Sequence, residues 1–118
     1  MSHWEKWEKL FFYMVVIRGN GITAVVNTGP PVDISGLNSA WQNFAGERCC
    51  FKRSSEEQPI QALAKAGVNP EDVDYVLLTP LQAYATANVA LFPKARICLS
   101  KRGWVEDIDH VEQRCRPG

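Results

Sequence analysis

The sequence predicts an α/β domain with one mixed sheet and helices on one of its faces. Three observations predict it. Two apolar runs separated by a turn open the chain, a stretch with helix signals at both ends follows, and short β-branched runs then alternate with helix-prone segments. The order hairpin, helix, strand, helix, strand packs as a sheet with a helical layer. The 118 residues read as a single truncated domain, 1–118, long enough to bury about two thirds of its unfolded surface.

Leu10 to Ile17 is rich in aromatic and β-branched residues and predicts a strand covered on both faces. Arg18 to Gly21 tolerates positive φ, and Ile22 to Val26 returns as the second arm of a hairpin. Asn27-Thr-Gly-Pro-Pro31 ends the arm, because consecutive prolines cannot donate to a ladder. Asn38 to Phe44 predicts a short helix with Trp41 and Phe44 on one side. Ser54-Ser-Glu-Glu57 then marks a helix start, with Pro59 in the first turn. Ile60, Leu63, Ala64 and Gly67 carry the helical spacing, closed by the glycine. Val68 to Val73 is a turn, and Asp74 to Thr79 a buried strand. Ala85 to Leu91 predicts a short helix, Arg96 to Leu99 a last strand, and Ser100 an N-cap for the segment holding Trp104.

Composition excludes several classes. Thirteen basic and thirteen acidic side chains cancel, so no basic face for nucleic acid is expected. The apolar run Leu10 to Ile17 is too short to span a bilayer, which needs about 20 residues, and no small-residue cleavage site follows it. Cys49, Cys50, Cys98 and Cys115 show no CxxC pair, so free thiols in the cytoplasm are expected, with no membrane partner.

Four stretches between Val15 and Asp107 carry a resemblance to a known family. They are Gly21-Ile-Thr-Ala-Val-Val-Asn-Thr-Gly29, Ala62 through Thr79, Asn88-Val-Ala-Leu-Phe-Pro-Lys-Ala-Arg-Ile97 and Ser100-Lys-Arg-Gly-Trp104. In order and spacing they resemble the amino-terminal half of the metallo-β-lactamase superfamily, nearest its lactonase-like hydrolases. The resemblance implies half of an αββα sandwich. It also implies that the strand ending near Thr79 would run into a His-x-His-x-Asp-His motif. Zinc requires that set, because neutral imidazoles and a carboxylate hold the ion with a position open for water.

This chain departs from the motif at every ligand. The histidine positions are Pro80, Gln82 and Ala85, and the aspartate position is Tyr84. Proline and alanine offer no ligand, and glutamine and tyrosine are poor ones. Asn27 stands where the family has the aspartate of an Asp-Thr-Gly turn. Either it is simply a turn residue, or it replaces a carboxylate that would be uncompensated without a cation. No catalytic residue and no cofactor is therefore expected in this chain, and any zinc would lie in a partner chain. Thr79, Pro80, Gln82, Tyr84, Ala85 and Asn27 are the candidate pocket residues. Tyr84 and Gln82 either line a residual pocket or partner contact, or fill the vacated volume. His3 and His110 lie near opposite ends of the chain, and no spacing joins them to the cysteines as a metal site.

In the family each half-chain supplies roughly one of two sheets that hide one face against each other. Here Leu10 to Ile17, Ile22 to Val26 and Val76 to Leu78 are apolar on both sides. Leaving about 600 Å² of such surface wet forgoes about 15 kcal/mol at about 25 cal/mol per Å², an upper bound. Association is the expected outcome. It would be with a catalytic hydrolase of the family in a hetero-oligomer, or with further copies as a binding scaffold. Trp4, Trp7, Phe11 and Tyr13 are the expected interface anchors.

Overall fold

The computed structural model describes residues 7–79 and 81–105. Trp4, Pro80, His3, His110 and Cys115 lie outside the described residues. Among those described, four strands form one mixed sheet in the order β1-β2-β3-β4, which is the predicted α/β class. They are β1 (Val15–Gly19), β2 (Ile22–Val26), β3 (Tyr75–Leu77) and β4 (Arg96–Cys98). The first pair is antiparallel and the other two are parallel.

The β1–β2 turn is tighter than Arg18 to Gly21. Gly19 pairs with Ile22, leaving only Asn20 and Gly21, both at positive φ (50° and 74°). An Asn-Gly pair of this kind matches the twist of the strands it joins. The predicted strand Leu10 to Ile17 is displaced, because pairing begins only at Val15. Its partner Val26 is the last residue of β2. Asn27 then adopts φ 62°, and two prolines follow, so residues 10–14 have no β2 ladder to join.

Two helices and several turns connect β2 to β3. The first helix, α1 (Ser35–Ala45), is longer than the predicted Asn38 to Phe44. Asp33 accepts the Ser35 N–H at 3.0 Å just before it. The expected capping box is present, with Ser54 and Glu57 bonding reciprocally, but it heads a single 3-10 turn. Gln58 is extended because it precedes proline, and α2 (Pro59–Lys65) starts afresh with Pro59 in its first turn. At the far end Val68 N–H reaches the Leu63 carbonyl (2.8 Å) and Gly67 N–H that of Ala64 (3.0 Å). Gly67 at φ 71° permits this closure. The closure turns Leu63 and Val68 together into the core, which rotates the buried stripe. Pro59 and Leu63 are buried, whereas Ile60 and Ala64, predicted on the same face, are exposed.

After β3 come α3 (Ala83–Thr86), a 3-10 turn over Val89–Leu91, and β4. Ser100 caps residues 101–105 as expected, accepting the Gly103 N–H at 2.8 Å. No helix among the described residues is long and apolar enough to cross a membrane.

Register divides the sheet into two unlike faces, because residues directly opposite share a side. Val16, Val25, Val76 and Ile97 lie in one row. Val25 and Val76 are wholly buried there, under Leu63, Val68, Val73, Leu78 and Phe92. The opposite face is open. Ile17 is 54% exposed, Val15 and Ile22 47%, and Leu77 37%.

Leu63→Ala should cost about 2–5 kcal/mol in chemical denaturation, since its site is enclosed on all sides. Ile60→Ala should change little. The Asp33 carboxyl is held below the ordinary aspartate value of 3.8, chiefly by the Ser35 backbone N–H and then by the Ser35 side chain. A folded value lower than the unfolded one means that the contribution is complete above the unfolded value. It is lost as pH falls through the folded one. Titration of the Asp33 carboxyl by NMR should therefore give a value below 3.8 in the folded chain and a normal one in urea.

Candidate functional site

The loop leaving β2 (27–32) and the segment 79–88 meet beyond the ends of β2 and β3. The loop carries two prolines, and its carbonyls have no strand to bond, so their partners must come from elsewhere. Two side chains, Asn88 and Arg53, supply them, while Asn27 ties the start of the loop to Thr79. Asn27 donates from Nδ2 to the Thr79 carbonyl at 2.8 Å and accepts the Thr79 N–H at 2.7 Å. Its own N–H reaches the Leu77 carbonyl, extending the β2–β3 ladder by one bond. Asn88, buried, donates to the carbonyls of Thr28 (2.8 Å), Gly29 (3.2 Å) and Pro30 (2.8 Å). The Arg53 guanidinium donates to Pro30 (3.1 Å), to Pro31 and to Val32 (3.0 Å).

Thr28 completes the junction from inside. Its hydroxyl donates to the Ala85 carbonyl at 2.9 Å and accepts the Asn88 N–H at 3.0 Å, while its own N–H also reaches Ala85. Burial pulls the Arg53 pKa down, and the nearby Glu57 carboxylate opposes that shift. A guanidinium is suited to the place, because its planar fork can serve several carbonyls at once.

The predicted pocket residues divide accordingly. Asn27 and Thr79 are bonded to each other. Ala85 is buried and bonded to Thr28 through its backbone. Gln82 is exposed, and its carbonyl starts α3 by accepting from Ala85 N–H and the Thr86 hydroxyl. Tyr84 packs against Phe12 with tilted rings whose centroids are 4.8 Å apart, and Phe12 also meets Phe51 at 5.3 Å. Phe51 in turn meets Trp41 edge-on, so an aromatic row runs from Tyr84 to α1. An open hollow of about 400 Å³ lies elsewhere, lined by Ser55, Glu56, Gln61 and Lys65.

Of the predicted interface anchors, Trp7, Phe11 and Tyr13 are exposed. Phe11 and Tyr13 lie on one side of the chain, with rings 6.2 Å apart. They continue the open row of Val15 and Ile17.

Thr28, Asn88 and Arg53 were not singled out from sequence. The available signal was the run Asn27 to Pro31 itself, whose carbonyls demand donors that local structure cannot provide.

Chemically, the groups converging here are amides, hydroxyls and one guanidinium, most of them committed to backbone. Among the described residues no group of three His, Cys, Asp or Glu side chains is placed to hold a metal ion. Cys49, Cys50 and Cys98 are free thiols.

No family model matches this chain, and no curated protein matches it. A solved structure from Thermotoga maritima, provisionally designated a metallo-β-lactamase, is similar in fold. Its TM-score is 0.44 at 15% identity, over 71% of this chain and 30% of that one. The likeness is one of backbone course over part of a larger molecule, and it says nothing of activity.

The Asn27 bridge separates the two explanations for that residue. Aspartate tolerates the left-handed region nearly as well as asparagine, so a mere turn residue could be exchanged at little cost. Its carboxylate cannot donate to the Thr79 carbonyl, however. Asn27→Asp should therefore destabilise the chain by about 1–2 kcal/mol in urea denaturation at neutral pH.

Proposed function

We propose that this chain is a non-catalytic, zinc-less subunit that binds a zinc-dependent hydrolase of metallo-β-lactamase type and supports its fold or substrate cleft. The open face of the sheet carries the proposal. Val15, Ile17, Ile22 and Leu77 expose branched apolar side chains on this one face, with Phe11 and Tyr13 also exposed. Contiguous apolar surface of this extent is a mark of interfaces. A partner sheet laid across it would bury both, as sheets do in sandwiches. Trp7, also exposed, is a further candidate anchor, and any zinc would sit in the partner.

The segment 79–88 supports the same view. Pro80, Gln82, Tyr84 and Ala85 occupy the positions of the zinc ligands in the resemblance. Tyr84 packs against Phe12 and Ala85 is buried, so two of these positions contribute to packing. A cytoplasmic setting, where free thiols stay reduced, accords with this role. The alternative is a homo-oligomeric scaffold with a small ligand in the vacated pocket.

Native mass spectrometry of the chain isolated from its source, with metal analysis, should show a heteromer whose zinc belongs to the partner. Omitting the chain should lower the partner's hydrolase activity. Leu77→Asp should abolish the complex while leaving the fold intact. A chain that never enters a heteromer, or a complex indifferent to Leu77→Asp, would refute the proposal.

A further inference from the structure

A second surface lies at right angles to the open face. β1 is an edge strand, bonded to β2 along one side only. The two-residue turn dictates which groups point where. Gly19 and Ile22 flank it as a hydrogen-bonded pair, so Gly19, Ile17 and Val15 direct their backbone groups inward to β2. The N–H and C=O groups of Val16 and Arg18 point outward.

Residues 11–14 precede β1 without pairing to β2. Phe12 and Met14 turn to the packed side, whereas Phe11 and Tyr13 turn to the open one, the alternation of an extended strand. Among the described residues, the backbones of Phe12, Met14, Val16 and Arg18 meet no backbone partner along this side.

Native edges of this kind are usually blunted by prolines, bulges or inward-pointing charges. Residues 11–19 contain no proline. Their one charged side chain, Arg18, is drawn away to the Gly67 carbonyl at the end of α2.

We infer that two copies of this chain pair antiparallel through residues 11–19, with Val15 of each copy on the two-fold axis. The sequence of the edge is complementary to itself in that register. Val15 faces Val15, Tyr13 faces Ile17, and Phe11 faces Gly19, so an aromatic ring covers the one residue without a side chain. Aromatic and β-branched cross-strand pairs are the favourable ones, and an aromatic opposite an edge glycine compensates for it. The two Arg18 side chains fall opposite Phe12 and never opposite each other.

Nine residue pairs give about 30 Å of continuous edge. The contact would bury on the order of 600 Å² per copy, the lower end of what a specific interface needs.

Antiparallel neighbours in one sheet are related by an axis normal to it. Both open faces therefore end on the same side of a continuous eight-stranded sheet. The pairing sets the stoichiometry of the platform without depending on what docks there, so the subunit proposal and this one fail separately. The dimer is tested on the chain alone, and the heteromer by capture of the hydrolase.

Sedimentation of the purified full-length chain should give a dimer of twice 13.3 kDa. Val15→Lys and Val15→Glu, each placing like charges opposite one another, should weaken it by at least about 10-fold. An equimolar mixture of the two variants should restore the dimer. Val16→Pro removes an outward N–H that the β1–β2 ladder does not use, and it should also give monomers with an unchanged circular dichroism spectrum. A wild-type monomer throughout the micromolar range would overturn the inference. So would self-association indifferent to Val15→Lys and Val16→Pro, or failure of the mixed charge variants to recombine.

Discussion

Val25 and Val76, side by side on β2 and β3, are the point on which the molecule turns. Both are fully buried, and Leu63 from α2 closes over the same core. This contact holds the parallel pair together, fixes where α2 lies, and brings the ends of β2 and β3 into reach of each other. Everything beyond those ends, including the junction of 27–32 with 79–88, is placed by it. The same contact also explains the asymmetry of the sheet. The described helices and turns that bury side chains do so on the Val25 side, leaving Val15, Ile17, Ile22 and Leu77 with no comparable cover.

The junction shows how a segment that cannot join a ladder is still made rigid. Pro30 and Pro31 remove donors but leave carbonyls, and a carbonyl without a partner is costly when water is partly excluded. Side-chain amides answer this repeatedly. Asn27 bridges Thr79 in both directions, Asn88 reaches three carbonyls in a row, and Asn38 of α1 donates to Phe51 and accepts from it. An amide offers donor and acceptor on one planar group, so it can mimic a strand neighbour for a single residue. A carboxylate could not have done this. The neutral amide at Asn27 is thus explained by its partner, whatever the history of the site.

Much of the fold was legible because its signals are local. Asn20-Gly21 dictates a two-residue turn, the Ser54–Glu57 box dictates a helical start, Gly67 a helix end, and Ser100 a cap. The strands at Ile22, Tyr75 and Arg96 follow from short β-branched or aromatic runs. Misplacements arose wherever a partner decides. Leu10 to Met14 has strand composition, yet it pairs with nothing on β2, because that strand stops at Val26. Ile60 and Ala64 have helical spacing, yet the closure at Gly67 turns Leu63 and Pro59 inward instead. The candidate site was legible only in outline. Asn27, Tyr84 and Ala85 were visible by position, while Thr28, Asn88 and Arg53 act through separations of 21 to 60 residues.

The sequence by itself determined the class of the fold, the turns and caps that punctuate it, and a stretch from Thr79 to Asn88 without His, Cys, Asp or Glu. Each of these is a property of neighbouring residues, set by allowed dihedrals, missing donors and side-chain type. Tertiary structure alone decided which face of the sheet is covered, which helix stripe is buried, and which side chains hold the loop after β2. Those depend on groups far apart in the chain meeting in one place, and no local preference records where such a meeting will occur.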